Sequence, residues 1–288
     1  MNLLITGAWT DAPKHIQFLT DTGHSVCFLQ QEADPLPCPP DWVEGVIGNG
    51  LFLHHPIECF PNLRYIQLTS AGFDRVPMDY VRSNGIEIHN ARGVYSVPMA
   101  EFVLASVLER YKKLSTFRFQ QQERLWQKHR DLLELAGKRV LIVGCGDVGR
   151  ECAKRFRAFD TCVVGVNRTV RAIEGFDAVF DLDHLDQELC RADIAVVTIA
   201  LTEETAGIVK AKLLRPDAML VNISRGATVD LTDARCDLLL DVFETEPLDQ
   251  KSTLWQQAIV TPHNSFVGQA NPQRLWRVIC ENLRISET

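Results

Sequence analysis

Lys138-Arg139-Val140-Leu141-Ile142-Val143-Gly144-Cys145-Gly146-Asp147-Val148-Gly149 is the stretch on which the fold turns. The aliphatic run Val140 to Val143 predicts a buried strand, and Arg150-Glu151-Cys152-Ala153-Lys154-Arg155-Phe156 continues past the glycines as an amphipathic helix. A strand passing through G-x-G-x-x-G into a helix is the pattern of a dinucleotide-binding turn. In that pattern Gly144 makes the tight turn, Gly146 lets backbone approach a pyrophosphate and Gly149 lets the helix pack on the strand. The anion then sits on the helix N-terminus, where Asp147 and Val148 stand. A plain βα turn carries the same glycines, so the surroundings decide the reading.

Those surroundings repeat the strand and crossover rhythm. Val140–Val143, Cys162–Val166, Ile194–Ile199, Met219–Ile223 and Leu238–Val242 are five strand candidates with helical or loop material between them, a doubly wound pattern. Upstream, Val97, Ala100, Val103, Leu104, Val107, Leu108 and Tyr111 recur at helical spacing and predict one long helix from Val97 to about Leu114, a candidate connector between two domains. Before it, Leu3–Thr6, Val26–Leu29, Val46-Ile47, Tyr65–Leu68 and Ile86–His89 read as strands, with Pro13–Thr22 as a helix. This predicts a second parallel sheet. Asp34 to Pro40 carries four prolines and is a loop. Arg274 to Leu283 reads as a helix with Leu275, Val278, Ile279 and Leu283 on one face.

At 288 residues the chain suits two α/β domains, and 46% hydrophobic with 23% charged residues is an ordinary globular balance. A formal charge of -7 argues against a nucleic-acid partner, which needs a basic face. No apolar stretch reaches membrane-spanning length, and the start lacks the basic flank and long apolar run of a signal peptide. The nine cysteines form no C-x-x-C pair, and several sit in apolar runs, as Cys162 does in Cys162-Val163-Val164. They read as small buried hydrophobes in a reducing cytoplasm, with no metal expected.

At the end of the second strand of the glycine-bearing series, Asn167 falls 18 residues past Gly149, where an acidic residue serves NAD by accepting from the ribose 2′-hydroxyl. Asn167 does not repel a 2′-phosphate, and Arg168, followed by Thr169, offers it a cation. This favours NADP over NAD. With Arg168 and Arg171 read as solvated loop charges, the choice of cofactor stays open.

Three later segments carry chemistry: Val221-Asn222-Ile223-Ser224-Arg225-Gly226, Leu240-Asp241-Val242-Phe243-Glu244-Thr245-Glu246-Pro247-Leu248 and Val260-Thr261-Pro262-His263-Asn264-Ser265. With the fingerprint, and with Leu68-Thr69-Ser70-Ala71-Gly72-Phe73-Asp74, Pro98-Met99-Ala100-Glu101 and Leu135-Ala136-Gly137-Lys138, the chain from about Arg64 onward resembles the D-isomer-specific 2-hydroxyacid dehydrogenase family. The resemblance implies two doubly wound parallel-sheet domains, a Rossmann dinucleotide-binding domain over 96–264 and a flavodoxin-like substrate domain from 1–95 plus 265–288. It places the active site in the cleft between them and implies a homodimer formed through the connector region. The reaction it implies is hydride transfer between NAD(P)H and a small 2-oxo acid of the glyoxylate or hydroxypyruvate type. A D-lactate dehydrogenase and a non-catalytic NAD(P)-sensing interaction protein are the rival readings.

Reduction of a 2-oxo acid needs a cation for the carboxylate and carbonyl, a hydride donor and an acid for the developing alkoxide. Arg225 and His263 suit the first and last, and a histidine acid benefits from an anion that orients it. The family spacing of five residues after the strand aspartate selects Glu246 rather than Glu244. By the same resemblance Asp241, Ala200 and Leu201 border the cofactor, and Ser70, Ala71 and Gly72 offer backbone amides to the substrate carboxylate. A glycine turn without ligand would look the same as Ser70 to Gly72. Asn49-Gly50 and Arg92 are weaker pocket candidates.

Departures from the family pattern are local. Only 15 residues separate Arg225 from Asp241, leaving Gly226 to Cys236 room for a turn or two of helix where the family has a longer one. Ala200 stands where proline is usual, and Asp160 where glycine is usual.

Overall fold

The structure is a computed structural model that describes residues 1–286. The chain divides into two compact units, Met1–Tyr95 with Gly268–Thr288, and Ser96–Val267.

The first unit runs β1 (Asn2–Thr6), α1 (Ala12–Asp21), β2 (Ser25–Leu29), β3 (Gly45–Gly48), β4 (Tyr65–Leu68), α2 (Met78–Ser83) and β5 (Glu87–His89). Its five strands are all parallel in the order β2-β1-β3-β4-β5. That is the flavodoxin-like doubly wound order. The Asp34 to Pro40 segment forms no strand or α-helix, since its prolines lack the ladder donor.

The second unit opens with α3 (Ser96–Lys112) and α4 (Leu114–Gln122). The helix expected from Val97 to about Leu114 is α3, and α4 is a further helix that the pattern did not announce. Lys113 takes the left-handed conformation, φ 53°, and starts a new axis. There follow β6 (Arg139–Val143), α5 (Asp147–Arg157), β7 (Cys162–Val166), β8 (Ala178–Phe180), α6 (Leu185–Arg191), β9 (Ile194–Val197), β10 (Val209–Lys210), β11 (Met219–Asn222), β12 (Val229–Asp230), β13 (Asp237–Leu240), α7 (Leu254–Gln257) and β14 (Ile259–Val260). Seven parallel strands lie in the order β14-β13-β11-β9-β6-β7-β8, the Rossmann order extended by one strand, and β10 pairs with β12 separately. Val140 and Ile142 of β6 enter the core that α3 and α5 cover, while Leu141 and Val143 enter the core on the opposite face with Leu185 and Leu189 of α6. Alternate residues thus face two cores, which is why the strand reads as an unbroken aliphatic run.

Between β11 and β13 the crossover holds one 3-10 turn, Gly226–Thr228, and the short β12, in keeping with its length. A cavity of about 420 Å³ lies beside it, lined by Leu231, Leu240, Val242, Phe243 and Leu254 among others. Ser265 to Val267 stay with this unit, beyond the expected boundary at 264, because the Ser265 amide donates to Asp241 Oδ2 at 3.0 Å.

The last helix, α8 (Asn271–Leu283), belongs to the first unit. Leu275, Trp276 and Ile279 join Leu3, Ile5 and Ile47 in one core, and Trp276 stacks on His15 at 4.0 Å between ring centroids. Asn282 Nδ2 donates to Oε1 of the buried Gln67 in β4 at 2.7 Å.

The expectation of buried cysteines holds for Cys145, Cys152, Cys236 and Cys280, holds in part for the half-buried Cys27 and Cys38, and fails for Cys59, Cys162 and Cys190, which are exposed. Cys162 opens β7, where the sheet margin leaves the first residue uncovered. Burial pushes the Cys145 and Cys152 thiols up to about 12, so both are inert at neutral pH.

Candidate active site

The glycine turn and the beginning of α5 form the first part of the site. Gly144 has φ 101°, and a Cβ on Gly149 would stand 2.1 Å from the Gly144 carbonyl oxygen, so the helix closes on the strand only with glycine there. At Gly146 the reverse holds: nothing lies within 4 Å of a built Cβ. Open space in front of Gly146, at the N-terminus of α5 where Asp147 and Val148 begin the helix, fits a pyrophosphate. Thr198 Oγ1 donates to the Gly144 carbonyl at 2.6 Å and ties this turn to the end of β9.

Asn167 directly follows β7, and its side chain belongs to the turn. Its Oδ1 accepts from the Cys145 amide at 3.4 Å, and its Nδ2 donates to Thr169 O at 3.2 Å. Arg168 and Thr169 are exposed beyond it. Ala200 and Leu201 are exposed in the loop after β9. That loop is fixed by the buried Thr205, whose Oγ1 donates to Ala200 O at 2.7 Å and accepts the Thr202 amide at 2.7 Å.

Arg225 stands three residues beyond β11, at the carboxyl end of the sheet, in a turn tied by its own backbone carbonyl. Asn222 Nδ2 at 3.0 Å and Thr228 Oγ1 at 2.7 Å both donate to that oxygen. Asn222 Oδ1 in turn accepts the Ser224 amide at 3.0 Å. A Cβ on Gly226 would lie 2.1 Å from the Phe243 carbonyl carbon, so the Arg225 turn is seated against the segment that leads to Glu246.

Asp241 follows β13 and is wholly buried. Its carboxylate accepts from Thr261 Oγ1 at 2.6 Å, the Asn264 amide at 2.9 Å and the Ser265 amide at 3.0 Å, and its backbone carbonyl accepts the His263 amide at 2.9 Å. These bonds hold the 261–265 loop and keep His263 at φ 50°, a left-handed conformation that costs free energy for a residue with a side chain. The Asp241 carboxylate is thus the anchor of this loop. Glu246 completes the group: Oε1 accepts the Phe243 amide at 3.0 Å, and Oε2 lies 2.7 Å from His263 Nδ1. With Nδ1 directed at a carboxylate, Nε2 is the ring nitrogen left to exchange a proton with a ligand. The second unit thus brings the glycine turn, Arg225, Asp241, Glu246 and His263 to the carboxyl edge of one sheet.

Ser70, Ala71 and Gly72 belong to the first unit, in the turn after β4. Their turn is held by Ala91 N donating to Ser70 O at 2.8 Å and Asn90 Nδ2 donating to Ala71 O at 2.6 Å. In the same unit Glu32 accepts the Asn49 and Gly50 amides, both at 2.7 Å, and fixes the turn after β3. Arg92 is exposed.

Sequence reasoning missed Glu32, Asn222, Thr205 and Thr261. Each acts through a side chain bonded to backbone or to another buried side chain, and each stands at a strand end or in a loop. A polar residue closing an apolar run was the available signal for Asn222.

Residues 104–265 match the family described as D-isomer specific 2-hydroxyacid dehydrogenase, NAD binding domain. The chain is similar to a glyoxylate reductase from Thermofilum pendens, 28% identical over 79% of this chain and 73% of that protein. It is 30% identical to a D-3-phosphoglycerate dehydrogenase from Mycobacterium tuberculosis over 80% of its length but spans only 46% of that larger protein. Among solved structures, a D-isomer specific 2-hydroxyacid dehydrogenase family protein from Aeromonas salmonicida superposes with a TM-score of 0.84 at 28% identity, covering 98% of this chain and 94% of that one.

Proposed function

The chain belongs to the D-isomer specific 2-hydroxyacid dehydrogenase family, and on that footing we propose that it reduces small 2-oxo acids of the glyoxylate or hydroxypyruvate type to D-2-hydroxy acids, with NADPH preferred over NADH. The observation that carries the reading is the His263–Glu246 pair at 2.7 Å, on a loop fixed by Asp241, in the same unit as the glycine turn.

The reduced nicotinamide, when bound, supplies a hydride to the carbonyl carbon. The Gly144 to Gly149 turn would hold the pyrophosphate on the α5 amides, with Asn167, Arg168, Thr169, Ala200 and Leu201 toward the adenosine and nicotinamide portions. Arg225 provides a fixed cation for the substrate carboxylate and polarises the carbonyl oxygen. His263, protonated and oriented through Nδ1 by Glu246, donates the proton that the new alkoxide requires. Ser70, Ala71 and Gly72 would add backbone amides to the carboxylate. Asp241 anchors the His263 loop and, as the family resemblance implies, would border the nicotinamide amide. Preference for NADPH is supported by Asn167, a neutral side chain where a carboxylate would repel a 2′-phosphate, and by the neighbouring Arg168.

A homodimer is the assembly that fits best. The segment around α4 presents Phe119, Leu125 and Trp126, the last 96% exposed, beside a cavity of about 710 Å³. A second copy of the chain would cover them. The nine cysteines, with no C-x-x-C pair among them, fit a reducing cytoplasmic setting. No helix of the described residues is long and apolar enough to cross a membrane.

The test is a matrix of NADPH and NADH against glyoxylate, hydroxypyruvate, pyruvate and other 2-oxo acids. The reading expects oxidation of NADPH with glyoxylate or hydroxypyruvate. Cofactor binding without turnover on any 2-oxo acid overturns it.

A further inference from the structure

The carboxylate that position 167 lacks is delivered from a neighbouring loop. Arg168 Nη2 lies 3.1 Å from Glu204 Oε2. Arg168 follows β7 and Glu204 lies in the loop after β9, so the two side chains meet beyond the carboxyl edge of the sheet that carries the glycine turn. Glu204 is held in place by what comes after it. Thr205, 2% exposed, bonds both Ala200 O and the Thr202 amide, and the amides of Thr205 and Ala206 donate to Thr202 O at 3.1 and 3.0 Å. Asn167 is fixed in turn by Cys145 and Thr169. Two hydrogen-bonded turns therefore present one acid and one base to each other.

We propose that Glu204 is a specificity-determining residue, which by pairing with Arg168 sets how strongly the site prefers a 2′-phosphorylated adenosine cofactor over a 2′-hydroxyl one. The inference rests on the reading of Arg168 as the cation for the 2′-phosphate. A guanidinium forks to one oxyanion partner at a time through a given face, so a carboxylate and a phosphate compete for it. Both side chains are largely exposed, and an exposed ion pair adds little to stability, so Arg168 exchanges partners at small cost. When it turns to a phosphate, the Glu204 charge stays within a Debye length and opposes the newcomer. The result is moderate preference and retained use of NADH, where Arg168 without Glu204 would give strict selection.

Calorimetric titration of the full chain with 2′,5′-ADP and with ADP separates these roles without requiring turnover. At low ionic strength Glu204→Gln is expected to tighten 2′,5′-ADP about fivefold or more, because one like charge near the phosphate is removed. The gain should shrink as salt is raised, and ADP binding should change by less than about twofold. Arg168→Ala is expected to weaken 2′,5′-ADP alone. If Arg168→Ala weakens 2′,5′-ADP while Glu204→Gln matches the parent protein on both ligands, the role of Glu204 is overturned and that of Arg168 stands. If Arg168→Ala leaves 2′,5′-ADP binding unchanged, the reading of Arg168 falls and the Glu204 inference falls with it.

Discussion

His263 Nδ1 and Glu246 Oε2 lie 2.7 Å apart, with Glu246 itself anchored through Oε1 to the Phe243 amide. A carboxylate in that position orients the ring and stabilises it when charged. His263→Gln is expected to lower kcat with glyoxylate or hydroxypyruvate by about 100-fold or more, the scale of a lost general acid. Glu246→Gln should lower it about tenfold or more, because the amide can orient the ring but cannot stabilise its charge. In both variants NADPH affinity, followed by nicotinamide fluorescence, should stay near the parent value. A parent-like kcat in Glu246→Gln would remove this glutamate from the mechanism.

The three donors gathered on Asp241 make a sharper prediction. Asparagine offers one acceptor oxygen and an amine where Asp241 has two acceptors, so Asp241→Asn leaves a buried donor unpaired at a cost of about 1–3 kcal/mol. Urea denaturation should register that loss. The His263 loop would relax from its left-handed conformation, so kcat should fall more than KM rises. Unchanged stability would mean that the carboxylate is not the clamp described above.

Gly226→Ala probes the seat of Arg225. Its new Cβ would meet the Phe243 backbone at 2.1 Å, and backbone cannot swing aside as a side chain can. We expect a loss of about 1–3 kcal/mol from overpacking together with a raised KM for the 2-oxo acid as the Arg225 turn shifts. A variant with parent-like KM and melting temperature would show that the turn accommodates the methyl group.

Asp193 gives a prediction in pH. Partial burial alone would push its carboxyl up, but the Arg139 amide at 2.7 Å and the Arg215 guanidinium at 2.7 Å outweigh that and hold it below the usual carboxylate range. A group with a depressed folded-state pKa stabilises the protein above its unfolded pKa and loses that contribution as pH falls through the folded value. Asp193→Asn should therefore cost about 2 kcal/mol near neutrality, the scale of charged hydrogen bonds. The difference in melting temperature from the parent should narrow below about pH 4, where an ordinary Asp protonates. A difference that stays constant between pH 7 and pH 3 contradicts the assignment.

Trp126→Asp tests the assembly. If a second copy covers the apolar segment at α4, the parent chain sediments as a dimer and the variant shifts toward monomer, since a charge is placed where an aromatic anchor sat. A monomeric parent protein ends the proposal.

The β6 to α5 passage was legible because a strand buried on both faces must be aliphatic throughout and a close helix–strand contact must be glycine, and both requirements show in single residues. The helix α4 was not, because its separate axis is set by one left-handed backbone conformation at Lys113 rather than by a periodicity of its own. Strands β8 and β14 escaped notice for a related reason. They are three and two residues long, and pairing with β7 and β13 makes them strands rather than their own periodicity. In the site, His263 and Glu246 stood out by chemistry and spacing. The loop-holding work of Asp241 and Thr205 did not, since it depends on which backbone amides the fold brings to a buried oxygen.

Gln67 and Asn282 share a hydrogen bond although they stand 215 positions apart. During vectorial synthesis at about 5–20 residues per second, β4 leaves the ribosome roughly 10 to 40 s before its partner on α8. Throughout that interval the apolar side of β1 and β3 that Leu275, Trp276 and Ile279 eventually cover lacks its last helix. The nascent first unit thus stays incomplete until α8 has been made, and a ribosome stalled within residues 96–267 would hold a half-made domain together with a freshly folding one.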